Sequence, residues 1–311
     1  MIIIVFALFI ARVGAISTPN SIISYKPLHI YNAQSSAFTY NSQIMISVNS
    51  LKYKSYEAPN LQNIEFFYSN GTIIPSWLEG NMTNEANSNS LYTSTNTIYW
   101  LRIIPANTFL AANTTNTIYM GFASTSNNLF NTQITGEAPQ LSPSYAEYDD
   151  GANVFINYWN FEGTSLPSGW GNYEPTVTQD NGITMNAPSA PPDWPLGYST
   201  AITNPIVIET DAQELSSGSV TWGILLSTGS SPSTINGFTG VGINTAGNEF
   251  QYGYSETATG VASLNRFYVF SLFSTPSTSY FYENYTQIGS ESLSYPYILK
   301  NLPISLSVSY K

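Results

Sequence analysis

There is no cysteine anywhere in the 311 residues. Disulfide frameworks, zinc–thiolate sites and cysteine nucleophiles are excluded together. Bases are nearly as scarce, with eight Lys and Arg against nineteen Asp and Glu, and none lies between Arg102 and Arg266. Nucleic acid needs clustered bases to neutralise phosphates, so it is excluded as a partner. Histidine occurs once, at His29 between Leu28 and Ile30. Any Ser-His-Asp arrangement would have to use it, and the expected role is a surface or hydrogen-bonded strand histidine. No stretch sustains the i, i+3, i+4 spacing of a substantial helix. Beyond the first ten or so residues there is no long apolar run, so nothing in the sequence as given spans a membrane as a helix, which takes about 20 residues.

What remains is a chain rich in Asn, Ser, Thr and Tyr. The acids are too sparse for a densely carboxylated, salt-adapted coat, and the polar surface must come from neutral groups. Neutral groups keep their state as pH falls, whereas exposed carboxylates protonate near pH 4. The expectation is a protein that faces acidic surroundings. The length suits two domains of roughly 150 residues, each able to bury about two-thirds of its unfolded surface.

Residues 1–16 form a signal-like segment. The run MIIIVFALFI ends at Arg12 and is followed by small residues, which suits a secretory signal cleaved after Ala15. No base precedes it, and a buried first strand is the alternative. A secreted or cell-surface location follows from the first reading. Residues 17–143 show a period of two. Ile44, Ile46 and Val48 alternate with Met45, Ser47 and Asn49, and Ile64, Phe66 and Tyr68 lead to Asn70-Gly71. Asn-Gly accepts positive φ at both turn positions, so a hairpin is expected there, with a return strand over 72–79. The polar stretch 81–96 reads as a long exposed loop. Strands with bulk on both faces, 97–104 and 117–123, are expected at sheet centres. Residues 138–145 read as a linker.

After the acidic and aromatic joint 148–170, strands recur at sandwich spacing. They are expected over 206–210, 220–227, 241–243, 249–254, 267–273 and 280–283. A last strand alternates Ile304, Leu306, Val308 and Tyr310 with serine. As a terminal edge it would leave unpaired backbone groups, which points to a missing further strand or to self-assembly by strand exchange. The fold class is all-β, with two β-sandwich domains at 17–143 and 144–311.

The series NIEFFYSNGTIIPSWLEG, TIYWLRI, TIYMGFAS, YDDGANVFINYWNFEG and LPSGW resembles a secreted-protein family common in archaea, a domain of unknown function (number twenty-three forty-one). The resemblance covers roughly residues 25–311. It implies that the second sandwich is a concanavalin A-like lectin/glucanase jelly roll, here without its usual closing strand. It further implies a surface or adhesin-like protein with no agreed catalytic residues. Trp100-Leu101-Arg102 stands where that family usually has Trp-Val-Lys.

Glu209, Asp211 and Glu214 approach the Glu-x-Asp-x-(x)-Glu strand of jelly-roll glycosidases, whose paired carboxylates act as nucleophile and acid/base. Here Thr210, Ala212 and Gln213 replace the apolar residues expected between them. The bland alternative is a strand end rimmed with carboxylates. Asp193, Trp194 and Tyr198, in a proline-stiffened loop, are the candidates for carbohydrate binding, since a sugar needs an aromatic face and a few polar partners. Trp194 plugging the sandwich is the alternative. Trp77, Trp100, Trp159 and Trp222 are expected in cores, and Trp170 fits either role. Asp149, Asp150 and Glu162 are weak calcium candidates, with spacing unlike known calcium loops. No other cofactor is expected. Asn70, Asn81, Asn113 and Asn284 begin glycosylation sequons.

The expected function is a non-enzymatic extracellular module for adhesion or carbohydrate binding, its partner a glycan or a cell-surface protein. A glycoside hydrolase using Glu209 and Glu214 is the alternative. A structural subunit of an extracellular filament or virion is a third.

Overall fold

The computed structural model describes residues 15–37, 42–81, 88–104, 110–172, 177–185, 196–198, 206–213, 220–227, 238–244, 247–252, 255–258, 267–292 and 304–310. Residues 1–14 of the signal-like segment, Glu214, Asp193 and Trp194 lie outside them, as do the side chains of 220–227, including Trp222.

The chain is all-β, with a single four-residue α-helix among the described residues. The first half supplies β1 (Ser24–Tyr31), β2 (Ser42–Val48), β3 (Ile64–Phe67), β4 (Ile73–Ile74), β5 (Ser76–Asn81), β6 (Thr97–Ile103), β7 (Thr115–Phe122) and β8 (Thr135–Glu137). They make two four-stranded sheets, ordered β1-β7-β3-β4 and β2-β6-β5-β8. The inner faces meet in one core, where Ile64, Phe66, Ile118 and Met120 of one sheet pack with Leu78, Tyr99 and Leu101 of the other. Phe66 and Tyr99 sit edge to face at 5.1 Å, the arrangement that aromatic quadrupoles favour. The strands with bulk on both faces are central, β6 between β2 and β5 and β7 between β1 and β3.

The Asn70-Gly71 hairpin forms, with Phe66 opposite Ile74 and Phe67 opposite Ile73. Its return strand is not continuous. Pro75 has no N–H to donate. There the chain leaves the first sheet, and Ser76 enters the second beside Leu101. The 81–96 stretch is not simply an exposed loop. Residues Ser88–Thr93 form a 3-10 helix, and Leu91 fills the core. Residues 138–145 are not a free linker. Ala138 and Leu141 are buried, and Ala138 N–H donates to the Leu78 carbonyl at 2.8 Å. One apolar residue per turn was enough to anchor segments whose average polarity reads as loop.

The second half contains β9 (Trp170–Asn172), β10 (Val177–Gln179), β11 (Ile183–Met185), β12 (Leu196–Tyr198), β13 (Ile206–Gln213), β14 (Val220–Ser227), β15 (Phe238–Asn244), β16 (Gly247–Tyr252), β17 (Ser255–Ala258), β18 (Phe267–Ser274), β19 (Thr278–Glu283), β20 (Thr286–Ser292) and β21 (Ile304–Tyr310). A seven-stranded sheet runs β17-β16-β15-β14-β21-β12-β9, a four-stranded sheet runs β13-β18-β19-β20, and β10 pairs with β11. The two larger sheets pack through β15 and β18, burying Val241, Tyr268, Phe270 and Leu272.

The final strand corrects an expectation. β21 is not an edge: it pairs with β14 on one side and β12 on the other. Its alternation of apolar residues with serine gave no hint of position, because a strand with one apolar face reads the same at an edge as inside a sheet. The argument for strand exchange from an open terminal strand therefore falls.

Candidate functional site

The joint is organised by Asp149. Its carboxylate accepts from Trp77 Nε1 at 3.0 Å, Tyr158 Oη at 2.9 Å, Asn160 Nδ2 at 2.7 Å and Gly151 N at 3.0 Å. Short helix α1 (Gly151–Val154) follows, and a side chain at Gly151 would run into the Tyr158 ring. Phe155 stacks on Tyr158 at 5.7 Å and meets Trp77 and Trp100 edge-on at 5.2 and 5.5 Å. Arg102 Nη1 donates to Asn153 O at 3.0 Å. The outer face of the β2-β6-β5-β8 sheet is thus covered by the joint.

Asp150 points the other way. It is 1% exposed, both oxygens lack a hydrogen-bond partner, and Gly136 leaves it room. Burial first, then the Asp149 charge, pushes its pKa up to about 8. Glu162 is exposed. Asp149, Asp150 and Glu162 are therefore not brought together, and no group of three or more His, Cys, Asp or Glu among the described residues could hold a metal.

Between the sandwiches lies a second cluster. A β-bulge interrupts β5 between Leu78 and Gly80, with Gly80 at φ 126. A bulge re-aims the extra residue, here Glu79, whose Oε2 accepts from Trp100 Nε1 at 2.8 Å. Glu209 on β13, in the other half, lies near enough to feel its charge. Glu209 Oε2 accepts from Ser271 Oγ at 2.8 Å, as the pairing of Glu209 with Ser271 across β13 and β18 requires. Asp211 lies two residues on, on the same face, and Gln140 Nε2 of the first half donates to its Oδ2 at 2.9 Å. Tyr285, its hydroxyl buried, completes the group. Desolvation raises the pKa of both glutamates; for Glu209 the neighbouring Glu79 charge adds to it. The Tyr285 hydroxyl is raised by burial and then by the two carboxylates.

The third locus is aromatic. Tyr198 on β12 pairs with Trp170 on β9. Trp159 is 4.5 Å from Tyr198 and 5.3 Å from Trp170, and Phe161 is 5.1 Å from Trp170. All four residues are half-buried. Gly169, at φ 89, lets the Tyr198 ring close over the turn, since a Cβ there would lie 2.6 Å from it. Trp159 is therefore not core, contrary to expectation, because it sits in the joint and not on a strand. Gln179 Nε2 donates to the Phe161 and Glu162 carbonyls at 3.2 and 3.0 Å. Gln179 Oε1 and Trp170 Nε1 are left without partners.

The remaining candidates are simply placed. His29 is exposed and its Nδ1 shares a 3.0 Å hydrogen bond with Thr117 Oγ1. Asn70 and Asn113 are exposed, and Asn81 ends β5 half-buried. Asn284 is committed: its Oδ1 accepts from Val269 N at 3.1 Å. Sequence reasoning missed Glu79, for which the Glu-Gly pair inside a strand was the available signal. It also missed the convergence of Trp159 and Trp170 on Tyr198, for which there was none.

No family model and no curated protein matches the chain. Among solved structures it is similar to an endo-β-1,3-glucanase from Pyrococcus furiosus, at 14% identity and TM-score 0.39, covering 49% of this chain and 83% of that one. It is similar to a β-glucanase from Bacillus licheniformis at 10% identity and TM-score 0.38, covering 48% and 86%. The Crh5 transglycosylase matches at 12% and 0.39, covering 49% and 68%. Likeness at this level is one of β-sheet architecture alone. No helix among the described residues is long and apolar enough to cross a membrane.

Proposed function

We propose that the chain is a non-enzymatic module displayed outside the cell in acidic surroundings, where it binds carbohydrate. The aromatic patch carries the reading. Four half-buried rings, Trp159, Phe161, Trp170 and Tyr198, offer the apolar surface that a sugar ring stacks on. A sugar also needs a few polar partners at the edge of such a surface, and the exposed Glu162 adjoins Phe161 in the chain. The resemblance of the motif series to a secreted archaeal family supports an extracellular place, and the neutral polar surface supports an acidic one.

A glycan array on the chain from Ser17, followed by titration of the hits, tests the reading. Trp170→Ala should weaken binding about tenfold, the loss of roughly one stacked aromatic contact. A hit unaffected by both Trp170→Ala and Tyr198→Ala would place the site elsewhere and refute it.

One observation favours a second reading, glycoside hydrolysis. Burial and then the Glu79 charge push the Glu209 carboxyl well above its ordinary range, the direction a general acid requires. It ranks second because Thr210, Ala212 and Gln213 stand where apolar residues are expected between the carboxylates, and Glu214 lies outside the described residues. Release of reducing sugar from β-glucans that is lost in Glu209→Gln would reverse the order.

A further inference from the structure

The aromatic patch has an acidic rim. Phe161 is held at φ 53, a backbone conformation that is costly for a bulky residue and persists only where neighbours impose it. The β10–β11 turn imposes it. Gly182 N donates to the Phe161 carbonyl at 2.9 Å, and Asn181 N to the Gly163 carbonyl at 3.1 Å. Gly163 N donates to Asn181 Oδ1 at 3.0 Å, and Glu162 N to Asn160 Oδ1 at 3.1 Å. Two acids are thereby set beside the rings, Glu162 next to Phe161 and Asp180 next to Gln179. Both are exposed. Neither carboxylate has a hydrogen bond or ion pair with another described residue, whereas Asp149 is taken up by Trp77, Tyr158, Asn160 and Gly151.

The chain supplies no counter-charge to this rim. No Lys or Arg lies between Arg102 and Arg266 in the sequence, and Arg102 is bonded to the Asn153 carbonyl. The cation–π contacts of the described residues, Lys26 with Tyr56 and Lys54 with Tyr92, are both in the first sandwich. The faces of the patch are thus open to a cation from outside, which their electron-rich rings attract. The net charge of -11 draws cations to the molecule as a whole. A uronic or sulfated sugar would meet two uncompensated carboxylates. A neutral sugar would leave them unused.

We propose that the ligand of the Trp159, Phe161, Trp170 and Tyr198 patch is an amino sugar with a free, protonated amine, for which Glu162 and Asp180 are the counter-charges. This rests on the carbohydrate reading above and narrows it to one class of sugar. The acidic surroundings proposed there keep such an amine charged.

Calorimetric titration of the protein tests it at about pH 5.5 and low salt, where a sugar amine is protonated and exposed carboxylates are ionised. The probes are a β-1,4-linked glucosamine hexamer, its fully N-acetylated counterpart and a galacturonate hexamer. The glucosamine hexamer should bind about tenfold more tightly than the N-acetylated one, the worth of a cation–π contact together with an exposed ion pair. Galacturonate should not compete. Glu162→Gln/Asp180→Asn should bring the first two hexamers within about twofold of each other, and each single variant should move the ratio part of the way. Equal binding of the two hexamers, with both weakened by Trp170→Ala, overturns this inference and leaves the carbohydrate reading standing. Absence of binding by any hexamer overturns both. An amine preference that survives in Glu162→Gln/Asp180→Asn or in Trp170→Ala is attraction to the acidic molecule at large, and overturns the assignment to this patch.

Discussion

Titrating the protein from about pH 4 to about pH 8 is expected to remove most of its stability, through acids buried in the first sandwich. Glu57, Glu137 and Asp150 are 3%, 1% and 1% exposed. Both carboxylate oxygens of Glu57 and of Asp150 lack hydrogen-bond partners, and Glu137 has one oxygen bonded by Ser142 and one unpaired. Burial raises Glu57 from 4.5 to about 8, Glu137 from 4.5 to about 7 and Asp150 from 3.8 to about 8. At about 1.4 kcal/mol per unit, these correspond to roughly 5, 3 and 6 kcal/mol.

The direction follows from proton counting. The folded chain keeps these protons above the pKa at which the unfolded chain loses them, so stability is full below about pH 4 and drains away up to about pH 8. Even if side-chain relaxation and water entry halve the total, about 7 kcal/mol is comparable to the whole stability of a typical domain. Urea unfolding at four pH values, read by tryptophan fluorescence, measures the slope. Glu57→Gln should flatten it by about a third, because the amide carries no charge to desolvate. A stability that is flat or rises between pH 4 and 8 refutes the reasoning.

Four further outcomes are expected. Asp149→Ala strands the Trp77, Tyr158 and Asn160 donors and should cost about 3 kcal/mol in denaturant unfolding. Leu91→Ala should cost about 2–4 kcal/mol, whereas truncation in a genuine exposed loop would cost almost nothing. Gly80→Val, at φ 126, should destabilise the β5 bulge and lower the thermal midpoint by several degrees, by roughly 1–3 kcal/mol of strain. In a glycosylating host, mass spectrometry should find glycan at Asn70 and Asn113, which are exposed, and none at Asn284, whose amide is hydrogen-bonded to β18.

Alternation of oily and neutral-polar side chains determined, by itself, that this protein is made of pleated sheets. It placed β2, β3, β6, β7, β13 and β18 within a residue or three, because strand pairing buries one face and the pattern records which. The Asn-Gly turn was legible for the same local reason, being a property of two residues' φ angles. Non-local facts were not legible. Pro75 hands the chain from one sheet to the other, Leu91 and Ala138 dock segments of polar average, and β21 lies inside its sheet. None of these has a periodic signature, since each depends on which surface happens to be opposite. The acids show the division most clearly. In sequence, Glu57, Glu79, Glu137, Asp150 and Glu209 are five sparse charges in a polar chain. Only the tertiary structure takes Glu57, Glu79, Glu137 and Asp150 out of water and sets Glu209 against Ser271, because burial and proximity belong to the packed molecule and not to any stretch of chain.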